Sequence, residues 1–444
     1  MEGHGLLLVM KKQAEILNRK QFMQGEIIAI GDELISGRIL NETSAFAANR
    51  LFLAGYSIKK ILTVGDDPED IRDAIDKAIE DSSFVIVTGG LGPTSDDITS
   101  EVAARVFGKP LVRNEAIYQR ILKNSARFHK SAALRMEKLS MLPEGAIPFN
   151  PSGCAAGFFI NHKGVNFYFL PGVPSQMQKF LVEFVIPQLN KTLSYTAFMR
   201  QRVYKLFGLE EMEINVIIES LALKGVEVGY YPNFPEVHIS VTARGEDKSE
   251  ADKNFSSACS LIEQKFQKDV VAKDDETIEM TLGRLLMERD SRLALAESCT
   301  GGLIAHRITT VPGSSNWFER GIVCYSNQSK VDHLGVSPET LAASGAVSKA
   351  TALEMAEGIK KVSGADFSLA LTGIAGPAGG SPHKPVGTVF MAMSTPEKTV
   401  AGRFLFPGSR TMIQTLASET ALDWLRRYLQ YGSSEQKHFA MQSS

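Results

Sequence analysis

Residues 84–99 read FVIVTGGLGPTSDDIT, an apolar run of four residues and a threonine that passes into a glycine-rich and acidic segment. The apolar run is typical of a buried strand, and the glycines after it allow the backbone to turn tightly. A helical pattern continues from Asp97 to Phe107 and stops at Gly108. We interpret this stretch as a buried strand, a ligand-binding turn and a helix, which is the repeating unit of an α/β fold.

The residues before this stretch show the same alternation. The patterns predict strands at Gly25–Gly31 and Ile58–Val64 and helices at Asn41–Leu53 and Pro68–Glu80. Strands that alternate with helices favour a parallel sheet joined by right-handed crossovers and covered by helices. Residues 25–190 are therefore expected to form one α/β domain.

Two further units follow, as expected for a chain of 444 residues, which is too long for one typical core. Residues 195–273 show the order β-α-β-β-α of a small α+β module. Residues 277–430 alternate helices and strands again and predict a second, separate α/β domain. We interpret residues 1–24 as an N-terminal extension and residues 431–444 as a tail.

The composition is that of an ordinary globular protein, with 44% hydrophobic and 22% charged residues. The formal net charge of −2 gives no reason to expect binding to nucleic acid or to an anionic membrane, and no stretch is apolar enough to span a bilayer. The four cysteines are scattered, with no CxxC pair and no histidine at metal-ligand spacing. This pattern predicts reduced thiols in a cytoplasmic protein.

The glycine turn of the first domain predicts a phosphate site that needs a metal. The helix after the turn offers free N–H groups to a phosphate, but the neighbouring carboxylates would repel it unless Mg²⁺ or another divalent cation joins them. The residues expected to bind substrate are Gly89, Gly90, Gly92 and Thr94. The expected metal ligands, from two strand ends at one edge of the sheet, are Asp96, Asp97, Asp32 and Glu33. The alternative is that the aspartates only cap a helix.

Three segments of this domain carry a resemblance to known proteins: GDELISGRILNETS from Gly31, TGGLGPTSDDIT from Thr88 and LPGVP from Leu170. They resemble the molybdopterin-binding MogA/MoeA-like fold and, more closely, the N-terminal domain of the CinA (competence/damage-inducible) family. The resemblance covers about residues 25–188. It implies metal-dependent hydrolysis of the pyrophosphate of ADP-ribose, whereas the wider fold implies molybdopterin binding, and the sequence leaves both open.

The middle module resembles the KH-like insert of the CinA family. Functional KH domains clamp nucleic acid with a GxxG loop, and residues 196–273 contain no GxxG and no cluster of basic and aromatic residues. A spacer or dimerisation role is therefore favoured, and direct nucleic-acid binding is not expected.

The last domain concentrates hydroxyls and glycines in the segments 295–302, 311–330 and 372–388. No His–Asp pair lies near these serines, so a serine nucleophile would need a lysine as its base, which is feasible when burial lowers the lysine pKa. Lys330 is the candidate, and the alternative is a solvated surface lysine. Cys299 is a rival nucleophile that ranks lower because it has no histidine neighbour.

The motifs AESCTGG, PGSSNWFERGIVCYSNQSK and TGIAGPAGG resemble the C-terminal CinA domain, a family that includes stand-alone nicotinamide mononucleotide deamidases. The resemblance covers about residues 278–428 and implies hydrolysis of a carboxamide without a metal or cofactor. It implies Ser315 as the nucleophile, Lys330 as its general base, Ser298 as a relay hydroxyl, Tyr325 as a group that orients the amide or oxyanion, and Arg410 as a stabilising cation. The residues expected to bind substrate are Thr300, Gly301, Asn327, Gly373 and Gly376.

Together, the resemblances imply an enzyme that recycles pyridine nucleotides with two activities. It would convert nicotinamide mononucleotide to nicotinate mononucleotide and ammonia, and hydrolyse ADP-ribose. The expected partners are small nucleotides and a second copy in a homodimer, with no membrane. The alternative is a pterin- or nucleotide-binding regulatory protein of competence or the DNA damage response, with an inactive C-terminal domain.

Overall fold

The computed structural model describes residues 24–124, 136–149, 157–192, 198–245 and 247–432. The chain divides into two compact units, one of residues 1–200 with 244–251 and one of residues 201–243 with 252–444. The interpretations of residues 1–24 as an extension and of 431–444 as a tail fall almost wholly outside the described residues, as does Cys154. The other three cysteines are buried free thiols.

The first unit contains a six-stranded sheet in the order β2-β1-β3-β8-β7-β6 and a separate pair, β4-β5. The strands are β1 Gln24–Ile30, β2 Ser57–Val64, β3 Phe84–Thr88, β4 Leu111–Arg113, β5 Met141–Pro143, β6 Ile147–Pro148, β7 Phe158–His162 and β8 Val165–Leu170. β2, β1, β3 and β8 are parallel to one another, whereas β7 pairs antiparallel with β8 and β6 pairs antiparallel with β7. The predicted α/β fold is confirmed, and the sheet is mixed at one edge.

Helices cover both faces of this sheet. In β1, Ile27 packs into one apolar core while Ile28 and Ile30 pack into another, because successive side chains of a strand point to opposite faces. The helices are Asp32–Ile35, Glu42–Leu53, Pro68–Asp81, Thr99–Val106, Glu115–Asn124, and Pro174–Phe180, which continues through the π turn Leu181–Val185 into Ile186–Thr192.

The middle module forms a four-stranded sheet in the order β10-β11-β9-β12. Its strands are β9 Phe198–Leu206, β10 Glu227–Asn233, β11 Glu236–Gly245 and β12 Val270–Lys273, and its helices are Glu211–Ser220 and Lys248–Lys265. The predicted β-α-β-β-α order is present, with β12 as an additional strand.

The last domain has a five-stranded sheet in the order β14-β13-β15-β16-β17. Its strands are β13 Leu293–Glu297, β14 Phe318–Val323, β15 Phe367–Gly373, β16 Thr388–Ser394 and β17 Thr399–Leu405. Its helices are Ile278–Met287, Leu303–Thr309, Asn327–Leu334, Pro338–Ser344, Lys349–Ser363 and Arg410–Tyr431. Because β13, β14 and β15 are parallel, their carboxyl ends meet at one edge of the sheet. Across the described ranges, no helix combines the length and hydropathy that a membrane span requires.

Candidate active sites

A cavity of about 240 Å³ opens at this edge of the last domain, where the loops after β13, β14 and β15 meet the first residue of the helix Arg410–Tyr431. Four of the five predicted catalytic residues line it: Ser298, Tyr325, Lys330 and Arg410. The rest of its wall consists of Cys299, Ala346, Val347, Thr372, Gly373, Ile374, Ala375, Gly376, Ala378 and Gly379.

Lys330 is buried, with 1% of its surface exposed. Its Nζ lies 2.8 Å from the carbonyl oxygen of Cys324, 3.3 Å from that of Tyr325 and 3.1 Å from Ser298 Oγ. Burial holds the pKa of Lys330 below its ordinary value, because an ammonium group loses its hydration there. The structure therefore shows a desolvated lysine rather than a solvated surface one.

The partners of Lys330 determine which way a neutral amine can face. A carbonyl oxygen only accepts hydrogen bonds, so the two N–H bonds of a neutral amine are directed to Cys324 and Tyr325. The lone pair of Nζ is then left for the hydroxyl of Ser298, which can donate its proton. This arrangement is the one that a general base needs toward a serine nucleophile.

Cys299 is next to Ser298, but its chemistry differs. Burial raises the pKa of the Cys299 thiol to about 12, so the thiolate that a cysteine nucleophile requires is scarce at neutral pH. Its carbonyl oxygen accepts a hydrogen bond of 2.8 Å from Gln414, which ties this loop to the last helix. The geometry therefore gives Cys299 a packing role.

Arg410 and Tyr325 are joined at the cavity mouth. Arg410 donates one hydrogen bond of 2.7 Å to the carbonyl oxygen of Gly376 and another of 3.2 Å to the Tyr325 hydroxyl. Tyr325 is 64% exposed, so its ring borders the opening rather than the core. The pair presents a guanidinium and a phenol to a ligand that enters the cavity.

The glycine loop after β15 brings its backbone close to the cavity because it lacks side chains. Gly376 has φ +79°, and a Cβ there would lie 2.6 Å from Val386. A Cβ on Gly373 would lie 2.7 Å from the carbonyl oxygen of Thr388. These two predicted substrate-binding residues thus line the cavity, whereas Thr300, Gly301 and Asn327 are not part of its wall.

Within one chain Ser315 does not lie near Lys330, contrary to the expectation that the two form a nucleophile–base pair. It lies on the exposed turn Ser314–Asn316, just before β14. The start of β14 pairs with Leu293, at the amino end of β13, and Glu297 at the other end of β13 pairs with Val323. About 13 Å of strand separates those two levels of the sheet. Ser315 therefore lies at the edge opposite to the cavity, because it precedes its strand and does not follow it.

A second cavity, of about 640 Å³, opens in the first unit at the carboxyl ends of β1 and β3. The predicted residues Gly89, Gly90 and Gly92 line it, and Thr94 does not. Gly89 has φ +104°, and a Cβ there would lie 2.1 Å from the carbonyl oxygen of Ile30. A side chain is thus excluded where the turn crosses the end of β1.

The charged residues on the described wall of this cavity are all acidic: Glu33, Glu42, Asp66, Asp96 and Asp97. Asp97 accepts hydrogen bonds from the N–H and the hydroxyl of Thr94, which keeps these residues in a turn so that the helix begins at Thr99 rather than at Asp97. The predicted ligand Asp32 is not on the wall itself, although it contacts Asp66.

Asp66 is a site residue that the sequence reasoning missed. Its N–H donates to Asp32 Oδ1 at 3.1 Å, while the N–H of Asp32 donates to Asp66 Oδ2 at 2.9 Å. Burial raises the pKa of Asp66, and the nearby charges of Asp32, Glu33 and Asp96 raise it further. Asp66 follows β2, so the strand-end rule used for β1 and β3 would have found it.

The oxygen ligands of this cavity are of the hard type that Mg²⁺ prefers, and their mutual repulsion would be relieved by a cation. Within the ranges that the structure describes, no three Asp, Glu, His or Cys side chains converge closely enough to hold a metal ion. The donor chemistry suits a divalent cation, although these side chains do not converge as a ligand set in this structure.

Three family profiles match the chain: a probable molybdopterin binding domain over residues 26–191, the damage-inducible protein CinA KH domain over 201–272, and the CinA C-terminal domain over 275–429. The fold and its two cavities thus define a class of α/β protein that joins a molybdopterin-binding-type domain to a CinA C-terminal domain through a KH module.

Relatives match this chain over most of its length. A CinA-like protein of Desulfotalea psychrophila is 44% identical over 409 residues, which are 92% of this chain and 99% of the relative. Another, of Geobacter sulfurreducens, is 42% identical over 406 residues, 90% of this chain and 98% of the relative. The chain belongs to the CinA family. A solved competence/damage inducible protein from Agrobacterium tumefaciens is 43% identical and covers 33% of this chain and 92% of its own, with a TM-score of 0.32.

Proposed function

We propose that the last domain hydrolyses the carboxamide of nicotinamide mononucleotide, with Ser298 as the nucleophile and Lys330 as its base. The observation that carries the proposal is the buried contact of 3.1 Å between Ser298 Oγ and Lys330 Nζ on a cavity wall. Ser298 takes the role that the family resemblance suggested for Ser315, because Ser315 lies at the far edge of the sheet within one chain. The substrate itself is suggested by the resemblance to the deamidases.

The chemistry follows from the neutral amine. Ser298 Oγ bonds to the carboxamide carbon while its proton passes to Lys330 Nζ. The tetrahedral intermediate then breaks its C–N bond, and Lys330 returns the proton to the leaving nitrogen, which departs as ammonia. Water, deprotonated by Lys330, then attacks the ester carbon; the C–Oγ bond breaks, Lys330 returns the proton to Ser298 Oγ, and nicotinate mononucleotide is released. Arg410 and Tyr325 supply positive charge and a hydroxyl donor for the negative oxygen that develops in each half-reaction.

Ammonia release from nicotinamide mononucleotide by the full chain, in buffer with a chelator, tests this function. Ser298→Ala is expected to lose at least about 1000-fold in kcat, whereas Ser315→Ala, the matched control on an exposed turn, is expected to stay within about threefold of the parent chain. Full activity of Ser298→Ala would overturn the assignment. No ammonia from the parent chain would overturn the function and favour the regulatory alternative.

For the first unit, we propose hydrolysis of the pyrophosphate of ADP-ribose with a divalent cation. The specific observation is a glycine turn beside a wall whose described charged residues are all acidic, since a phosphate ligand at that place requires a counter-ion. Asp32, Asp66, Asp96 and Asp97 would hold the cation, which would supply an activated water when bound. The glycine turn would hold the phosphates through its N–H groups.

A product assay on ADP-ribose with and without Mg²⁺ tests this second activity. AMP and ribose phosphate that appear only with the cation are expected. Tight binding of a pterin without turnover of ADP-ribose would contradict it and support the molybdopterin-binding alternative. The homodimer implied by the family resemblance and the cytoplasmic location implied by the scattered cysteines stay predictions.

A further inference from the structure

Glu297 is a buried carboxylate next to the proposed nucleophile, and the mechanism above does not use it. It is the last residue of β13 and 1% exposed. Its Oε2 accepts hydrogen bonds from the N–H groups of Gly302 at 3.1 Å and Ile304 at 3.2 Å, and its Oε1 accepts one of 2.8 Å from Ala305. The carboxylate therefore occupies the amino end of the helix Leu303–Thr309, where the N–H groups have no partner within the helix.

The backbone of Glu297 reaches the other half of the site. Its carbonyl oxygen accepts a hydrogen bond of 2.8 Å from the N–H of Cys324, and the carbonyl oxygen of Cys324 accepts one of 2.8 Å from Lys330. Ser298, which follows Glu297, donates its own N–H to Leu371 on β15 at 3.0 Å. Glu297 thus joins the loop that carries Ser298 to the loop of Cys324, which leads into the helix that carries Lys330.

We infer that Glu297 is a positioning residue, which holds Ser298 against Lys330 by fixing the turn that follows Ser298. This inference rests on the proposed function. It also implies that the N–H groups of Gly302, Ile304 and Ala305 are not available as an oxyanion hole, because Glu297 already accepts from them. Stabilisation of the oxyanion is thereby left to other groups of the cavity wall, such as Arg410.

The experiment compares Glu297→Gln and Glu297→Asp with Glu354→Gln. Glu354 is the matched control, because its carboxylate also accepts from the first residues of a helix, at Ser337 N–H and Thr340 hydroxyl, and it is not on the cavity wall. For nicotinamide mononucleotide, Glu297→Gln is expected to lower kcat by about 10- to 100-fold through misplacement of Ser298, with KM within about threefold. Glu297→Asp, which keeps the charged acceptor on a shorter side chain, is expected to recover part of the kcat that Glu297→Gln loses.

Amide hydrogen exchange at Gly302, Ile304 and Ala305, measured by NMR, reports the same contacts without turnover. Exchange at these N–H groups is expected to be faster in Glu297→Gln and unchanged in Glu354→Gln. A kcat of Glu297→Gln equal to that of the parent chain, or a loss that Glu354→Gln matches, would overturn the inference. If the parent chain releases no ammonia, the proposed function fails, and unchanged exchange in Glu297→Gln would separately overturn the role of Glu297.

Discussion

Replacement of Lys330 by methionine removes the amine from the cavity while keeping a side chain of similar length. General-base catalysis typically contributes 10²- to 10⁴-fold, so kcat for nicotinamide mononucleotide is expected to fall by that factor, or about 3–5 kcal/mol of barrier. The carbonyl oxygens of Cys324 and Tyr325 lose a donor, at about 1–3 kcal/mol each where they stay dry. The methionine variant avoids the free-energy cost of burying an amine, which offsets part of the loss of these two hydrogen bonds. The variant is therefore expected to fold.

The assay is ammonia release at a series of pH values, with thermal unfolding measured in parallel. Lys361→Met, at an exposed position, is the control and should behave as the parent chain. Lys330→Arg should be as inactive as Lys330→Met, because a guanidinium stays charged and cannot accept the serine proton. A Lys330→Met variant that keeps more than about a tenth of the parent kcat would refute the reasoning.

The direction in which activity changes with pH follows from the burial of Lys330. The base must be neutral, so activity rises with pH through the pKa of Lys330, and burial places that limb below the ordinary value of 10.5. The lowered pKa also means that Lys330 binds its proton less tightly in the folded state than in the unfolded state. The parent chain therefore loses stability relative to Lys330→Met as the pH falls from 10.5 toward the folded pKa, and the difference stays constant below it. A limb at or above 10.5 would contradict the account.

Further predictions concern other positions of the two cavities. Gly89→Ala is expected to lower the free energy of unfolding by more than about 2 kcal/mol, because its Cβ would meet the carbonyl oxygen of Ile30, whereas Gly37→Ala, with φ +69° and open space, should cost about 1 kcal/mol in the same urea titration. Arg410→Ala should reduce kcat/KM for nicotinamide mononucleotide by about 10- to 100-fold, as expected for loss of a charged hydrogen bond, and an unchanged value would remove its role. Cys299→Ala should keep at least about half of the activity, since a large loss would revive the thiol as nucleophile. Asp66→Asn should weaken Mg²⁺-dependent hydrolysis of ADP-ribose and leave ammonia release unchanged.

The buried strands were the part of the fold that the sequence predicted best. β3 has the predicted bounds, because four consecutive buried apolar side chains followed by a buried threonine leave little choice of element. β17 is harder to predict from the sequence, because most of Thr399–Leu405 is only partly buried at a sheet edge, where the apolar pattern weakens. The first sheet is mixed because β7 and β6 pair antiparallel at its edge. The direction of strand pairing cannot be inferred from the residue pattern within each strand.

The candidate site was predictable in its members but not in its geometry. Hydroxyls, a lysine and glycines near strand ends indicated the cavity, and the absence of a His–Asp pair pointed to Lys330. Which serine faces that lysine depends on strand direction: Ser298 follows β13, whereas Ser315 precedes β14. The burial of Lys330 is also a tertiary property, since it comes from loops that are 32 and 6 residues away along the chain.

The central claim, an acyl-enzyme on Ser298, is tested most directly by rapid quenching of the full chain with nicotinamide mononucleotide, followed by proteolysis and mass spectrometry. The account predicts that the peptide containing Ser298 carries the acyl group of nicotinate mononucleotide, and that the adduct is absent in Ser298→Ala. An adduct on the peptide containing Ser315, or on Cys299, would contradict it.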